Sequence, residues 1–176
     1  YRRYMAAAAY LGGRWVVIHG QPLGHGKLSD QGYWQRFGEL YQLGRGEGAW
    51  PAQENVRQHR SADPAFIAGM RKALGDSCAF VLDVKQCRMA GAETEEMVQA
   101  MGDRLVHVHL SDWEEGAPCL LPGAGRFDHL AFRRLLESRG FSGTVVTEVY
   151  RHSFSQIEEL ARSLSYTKRV LESSFS

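Results

Sequence analysis

Residues 79–110 read AFVLDVKQCRMAGAETEEMVQAMGDRLVHVHL. The stretch opens on an apolar run, Ala79 to Val84, and closes on a second, Arg104 to Leu110. Between them, residues 93–101 have the spacing of a helix. Continuous rather than alternating apolar runs mark strands buried on both faces, which is the condition of a parallel sheet. Two such strands joined by a helix make a βαβ unit.

The alternation recurs on both sides of this unit. Toward the N-terminus, Asp63-Pro64 is an N-cap followed by Pro at the first helical position, and the helix over 64–74 stops at Gly75. Residues 49–54 (AWPAQE) form a weaker strand; Pro51 has no ladder donor, so this strand should start late or bulge. Ser29 or Asp30 caps a helix over 29–43, with Trp34, Phe37, Leu40 and Tyr41 on one face. Residues 20–28 are a Gly/Pro loop, 14–19 (RWVVIH) a strand, and 1–12 the end of a helix halted by Gly12-Gly13. Toward the C-terminus, residues 111–127 read as a Gly- and Pro-rich loop. Asp128 caps a helix over 129–138 that ends at Gly140, 144–149 (TVVTEV) is a strand, and 154–172 is the last helix. Five strands alternating with helices predict an α/β fold, a parallel sheet with helices outside it.

Composition narrows the function. A chain of 176 residues fits one domain, and 44% apolar residues suffice for its core. Lys plus Arg number 21 and Asp plus Glu 20, for a net charge of +1. This balance argues against electrostatic nucleic-acid binding, although a local basic patch stays compatible with it. No apolar run approaches the ~18 residues of a membrane span. Cys78, Cys87 and Cys119 are odd in number and widely spaced, which disfavours both a disulfide framework and a Cys-based zinc site. Reduced thiols predict a cytoplasmic location. The chain opens on Tyr1 already in a helical pattern, so the expectation is that an N-terminal part of a longer protein is missing.

The chemistry is expected at the strand ends. The last polar residues of the five strands are His19, Glu54, Asp83, His109 and Glu148. Parallel α/β folds place their sites at the carboxyl ends of the strands. Each residue has an ordinary alternative: Glu54 can pair with Arg57, Asp83 can cap a loop, His109 can be a core histidine beside His107, and Glu148 can pair with Arg151. Jointly these require four coincidences at one end of one sheet. Burying several carboxylates is costly without a partner, and one divalent cation serves them all. Two Glu, one Asp and one His suit Mn2+, Mg2+ or Co2+, with Zn2+ also within reach of the donor set. His19 is expected to contact substrate rather than metal, Gly20 allowing the backbone to approach a ligand. Gly123 and Gly125 permit a tight turn that presents Arg126 to a phosphate or carboxylate. Lys85, Arg88 and Arg151 are further cations at strand ends, either contacting substrate or serving as counter-ions.

The segments HG (19–20), QENV (53–56), LDVKQ (82–86), HVHLSD (107–112), LPGAGRFD (121–128) and TEVY (147–150) together resemble the sugar phosphate isomerase/epimerase family. This family belongs to the xylose-isomerase-like TIM-barrel superfamily, which also holds AP-endonuclease-type (AP endonuclease family 2) nucleases. The resemblance runs from about residue 1 to residue 172. It implies a (β/α)8 barrel of which residues 1–176 form a single domain containing the last five βα units. The first three units, on the order of 90 residues, would then lie outside this sequence. A partial barrel would leave a strand edge unpaired at each end, so either the sequence is a fragment or another chain completes it.

Carried over by position, the family's metal ligands fall on Glu54, Asp83, His109 and Glu148, and its acid/base pair on Glu54 and Glu148. The implied activity is metal-dependent isomerisation or epimerisation of a sugar or sugar phosphate, by proton transfer through an ene-diolate between the two Glu. Where the family often has His three residues after the Asp ligand, this chain has Gln86, which can bond a sugar hydroxyl but cannot titrate. Substrate contacts are expected from His19, Lys85, Gln86, Arg126 and Arg151. The alternatives are an AP-endonuclease-like zinc phosphodiesterase, which would demand more His ligands and a basic DNA-facing surface, and a non-catalytic sugar-binding barrel fragment. The expected partner is a small-molecule sugar, with no nucleic acid and no membrane; a homo-oligomer is left open.

Overall fold

The computed structural model describes residues 1–26 and 28–172. In chain order its elements are α1 (Arg2–Tyr10), β1 (Trp15–Ile18), α2 (Asp30–Glu47), β2 (Trp50–Glu54), α3 (Pro64–Leu74), β3 (Phe80–Asp83), α4 (Val84–Ala90), α5 (Thr94–Met101), β4 (Leu105–Leu110), β5 (Asp112–Glu114), β6 (Ala117–Leu120), α6 (His129–Ser138), β7 (Thr144–Thr147) and α7 (Ile157–Glu172). Short 3-10 turns link several of them. The main sheet runs β1-β2-β3-β4-β7 with every pairing parallel, so each strand lies beside the next in sequence. This is the strand order of a TIM barrel, here an open arc of five strands.

Local chemistry accounts for the helix starts. Ser29 accepts from the Gly32 N–H, Asp63 from Ala65 and Asp128 from Ala131, each at the first turn of the helix it opens. α2 runs past the expected Leu43 to Glu47 because two glycines do not stop it. A Cβ at Gly44 would stand 2.5 Å from the Ala49 carbonyl oxygen, so glycine is what lets the helix lie against the start of β2. Pro51 sits inside β2 rather than before it. Trp50 donates to Arg14 just before β1 and Gln53 donates to Ala79 beside β3, so the missing Pro51 donor faces the β3 side. There the pairing begins at Gln53, and nothing is lost from the ladder.

Two elements depart from expectation. The run 79–84 is strand only to Asp83; Asp83 then accepts from the Gln86 N–H and caps α4, which Gly91 closes with φ of 72°. The segment 111–127 contains a hairpin, β5 paired antiparallel with β6. The main core fills the space between sheet and helices and includes Phe66, Ile67, Met70, Phe80, Leu82, Met97, Met101, Val108 and Leu110. A smaller cluster of Ala52, Ala79 and Val81 lies apart from it, packed against Trp15 and Val106. All three cysteines are buried and free. Among the described residues, no helix is long and apolar enough to cross a membrane.

Candidate metal centre

β2, β3 and β4 carry Glu54, Asp83 and His109 at or near their carboxyl ends, and Glu148 follows β7 directly. Asp83 lies opposite His109 in the β3–β4 ladder, and His109 opposite Val146 in the next. The Glu148 N–H donates to the Leu110 carbonyl at 3.0 Å, which extends this pairing and sets Glu148 above Val146. One ligand atom from each of Glu54, Asp83, His109 and Glu148 lies within 4.8 Å of all the others. Of the ordinary alternatives, the Asp83 cap does form, on α4, but the two Glu–Arg pairs do not. Glu54 and Glu148 meet across His109 rather than pairing with Arg57 and Arg151.

Asp83 is 2% exposed. Asn55 holds its backbone on both sides, accepting from the Asp83 N–H at 2.7 Å and donating to the Asp83 carbonyl at 3.0 Å. Its Oδ1 caps α4 at 3.1 Å. Its Oδ2 is buried with no hydrogen bond, and Lys85 Nζ approaches it at 3.3 Å as an ion pair only. Burial pushes the Asp83 carboxyl up to about 6; Lys85 and the Gln86 N–H oppose this, while Glu148 and Glu54 add to it.

A single His109 nitrogen, Nδ1, lies 2.8 Å from Glu54 Oε1 and 3.0 Å from Glu148 Oε2. Burial disfavours the imidazolium, but hydrogen bonds to Glu148 and Glu54 outweigh it and raise His109 to about 10. The same bond from His109 brings Glu148 down to about 2, against burial, with Lys85 helping. The proton on Nδ1 thus bridges two carboxylates where a cation would otherwise stand. An orphaned buried carboxylate oxygen, two carboxylates drawn to one point and an imidazole between them fit a divalent ion.

The other expected residues divide. His19, 65% exposed, places Nε2 3.1 Å from Glu54 Oε2 at the rim of the cluster. Lys85 is buried against Asp83 and Glu148. Gln86 Oε1 accepts from the Arg57 N–H at 2.9 Å, so its amide fixes the neighbouring loop. Arg126 is exposed, with its backbone N–H on the Trp113 carbonyl. Arg88 lies over the Trp113 ring, 4.1 Å from its centre. Arg151 donates to the Phe154 carbonyl at 2.9 Å and is not drawn into the cluster. The space beside Gly20 is taken by the Tyr33 hydroxyl and the Gln53 amide, so glycine there serves internal packing rather than approach to a ligand.

Three further groups support the site, of which the sequence marked only His107, as a neighbour of His109. His107 lies edge-on to His109, ring centres 5.0 Å apart, and burial followed by the neighbouring His109 lowers its pKa. Asn55 was hidden in the polar run QENV. Asp112 accepts from the N–H groups of Trp113, Gly123, Gly125 and Phe127 at 2.8–3.0 Å and so builds the loop that bears Arg126. A buried Asp followed by a loop with spaced glycines is the signal that points to such an anchor.

The parallel strand order and a polar cluster at the strand ends define a TIM barrel with its site at the carboxyl face. The chain belongs to the xylose isomerase-like TIM barrel family, whose model matches residues 1–170. An uncharacterized protein of Mycobacterium leprae is 29% identical over 196 residues, covering 96% of this chain and 69% of the relative. An uncharacterized protein of Mycobacterium tuberculosis is 28% identical with the same coverage. Among solved structures, a D-tagatose 3-epimerase-like protein superposes with TM-score 0.74 at 18% identity, over 97% of this chain and 67% of that one. The 3-keto-D-glucoside 4-epimerase of E. coli gives 0.72 at 18%, over 95% and 68%. A D-psicose 3-epimerase gives 0.74 at 15%, over 98% and 69%.

Proposed function

We propose that this protein is a divalent-metal-dependent sugar isomerase or epimerase in which Glu54 and Glu148 move the proton. The observation that carries the reading is the convergence of four potential ligand atoms within 4.8 Å, from residues spread over most of the chain. Glu54, Asp83, His109 and Glu148 would hold the ion, and three oxygen donors with one nitrogen suit Mn2+, Mg2+ or Co2+, with Zn2+ also accepted. Bound there, the ion polarises a carbonyl and acidifies the adjacent C–H.

The protein's part is proton handling and positioning. Glu54 and Glu148 come from opposite sides of β3 and β4 and flank His109. One, ionised, takes the proton from the carbon beside the carbonyl; the other enters protonated and gives its own proton to the opposite face or to the next carbon, so the two exchange protonation states. Glu54 is buried and held by His109 and His19, which fixes its direction. Glu148 is half exposed and open to substrate. His19 stands at the rim as a contact for a sugar hydroxyl; Gln86 meets the cluster through its backbone N–H on Asp83, while its side-chain amide is turned to the Arg57 N–H. The 3-keto-D-glucoside 4-epimerase and the D-psicose 3-epimerase that share this fold support such chemistry.

The test is Mn2+ binding and ketose turnover in wild type and Glu148→Gln. Loss of turnover with weakened Mn2+ binding is expected. Unchanged binding together with unchanged turnover would overturn the proposal. A nicking assay on abasic DNA separates it from phosphodiester hydrolysis.

A further inference from the structure

We propose that Lys85 is a built-in counter-cation of the candidate metal centre, one that weakens the hold on a divalent ion. The inference rests on the metal-centre reading above. α4 begins immediately after Asp83, and its first turn brings the Lys85 side chain back over the strand end. The residue is 5% exposed. Its Nζ lies 3.3 Å from Asp83 Oδ2 and 3.8 Å from Glu148 Oε2, and 4.9 Å from the centre of the Tyr150 ring. Lysine is almost never buried unless paired, and both carboxylates it touches belong to the proposed ligand set. Asp83 Oδ2, the oxygen that the ammonium approaches, has no hydrogen bond.

The charges explain what such a lysine does. Glu54, Asp83 and Glu148 carry three negative charges when ionised. Whichever Glu carries the proton to be delivered, Asp83 keeps its charge beside the ammonium, so the buried carboxylates are not left without a counter-charge before an ion binds. The consequence for binding is a cost. The ammonium and the ion share Asp83 and Glu148 at close range, where like charges repel strongly in a low-dielectric site. Substituting the lysine should therefore tighten metal binding while leaving the metal-free carboxylates without their partner.

The experiment measures Mn2+ affinity of metal-free wild type, Lys85→Met, Lys85→Gln and Lys85→Arg by competition with a fluorescent chelator. Lys85→Met and Lys85→Gln are expected to bind Mn2+ at least about tenfold more tightly, and Lys85→Arg within about threefold of wild type. Thermal melts supply the second readout. Metal-free Lys85→Met should melt below wild type, and saturating Mn2+ should close the gap. If Lys85→Met does not fold, the Gln and Arg variants carry the comparison. Equal or weaker Mn2+ binding by the folded neutral variants overturns the counter-cation role while leaving the metal centre standing. Absence of Mn2+ binding in wild type and all variants overturns the metal centre and the lysine's role together.

Discussion

The middle of the sheet and its edges are built to different standards. In β3, Phe80, Val81, Leu82 and Asp83 are all buried, whereas in β7 burial alternates between exposed and intermediate. The candidate site spans this divide. Glu54 and Asp83 stand on strands covered on both sides, while Glu148 follows an edge strand and its side chain is 46% exposed. Glu148 is held by one backbone bond to Leu110, by His109 and by Lys85. The buried half fixes where an ion would go; the exposed half is where substrate would enter and where the geometry is free to adjust.

The largest effects expected are on turnover. Glu54→Gln and Glu148→Gln should each lower kcat by about 10²–10⁴, the usual cost of removing a general acid or base. They should differ in metal affinity. Glu54→Gln changes the buried half and is expected to weaken Mn2+ binding more than Glu148→Gln does. Equal losses, measured by chelator competition, would erase the distinction between the two halves.

Asp83→Asn sharpens the same contrast, with two effects of opposite sign. Mn2+ affinity should fall by about a hundredfold or more, since a ligand matters at least as much as its supporting partners. The metal-free protein should gain stability at pH 8. The Asp83 carboxyl is raised from 3.8 to about 6 in the folded chain, so its ionisation costs stability progressively above 3.8 and in full above about 6. Asparagine can still cap α4, and a rise of roughly 4 °C in Tm is expected. A fall in Tm would show that the Lys85 pairing outweighs desolvation.

Acidity should act on both halves through His109. Because its pKa is raised to about 10, a metal must displace one proton from it, and Mn2+ affinity should climb about tenfold per pH unit between about 6 and 9. The metal-free fold should respond in the other direction. The raised His109 contributes stability that is full below its unfolded value near 6.5 and is lost as the pH climbs through about 10. Depressed Glu148 contributes stability present above its unfolded value of 4.5 and lost as the pH falls through about 2. These are two faces of one contact. Raised Asp83 contributes stability that is full below its unfolded value of 3.8 and is lost as the pH climbs through about 6. The metal-free protein should therefore melt highest near pH 4, between about 3.8 and 4.5, with saturating Mn2+ moving that optimum upward.

Much of this arrangement was legible in the sequence because buried parallel strands leave a simple trace, an apolar run ending on a polar side chain. Glu54, Asp83, His109 and Glu148 were each such endings, and the helix caps at Ser29, Asp63 and Asp128 were equally local. What could not be read depends on contacts made far along the chain. Helix α4 spans only Val84–Ala90 and starts inside an apolar run, so periodicity had no length over which to show itself. The β5–β6 hairpin has strands of three and four residues amid glycines and prolines. Gly20 looked like room for a ligand until Tyr33 and Gln53 filled the space. Lys85, Gln86, Arg126 and Arg151 were alike as cations or polar groups near strand ends. Their different placements follow from long side chains choosing among partners that only the folded chain assembles.

The smallest expected effect isolates the comparison from the chemistry. Val81 and Val146 occupy equivalent places, each two residues before a candidate ligand, Asp83 and Glu148 respectively. Val81 is fully buried and Val146 is 44% exposed. Replacing either by threonine keeps the shape and adds a hydroxyl. At Val81, packed with Ala52 and Ala79, the hydroxyl must leave water, and a loss of about 1–3 kcal/mol is expected in urea denaturation. At Val146 the hydroxyl keeps its water, and the change should stay within about 0.5 kcal/mol. A Val146→Thr variant as costly as Val81→Thr would mean that this edge of the sheet is covered in solution, and Glu148 would then belong to the buried half of the site along with Asp83.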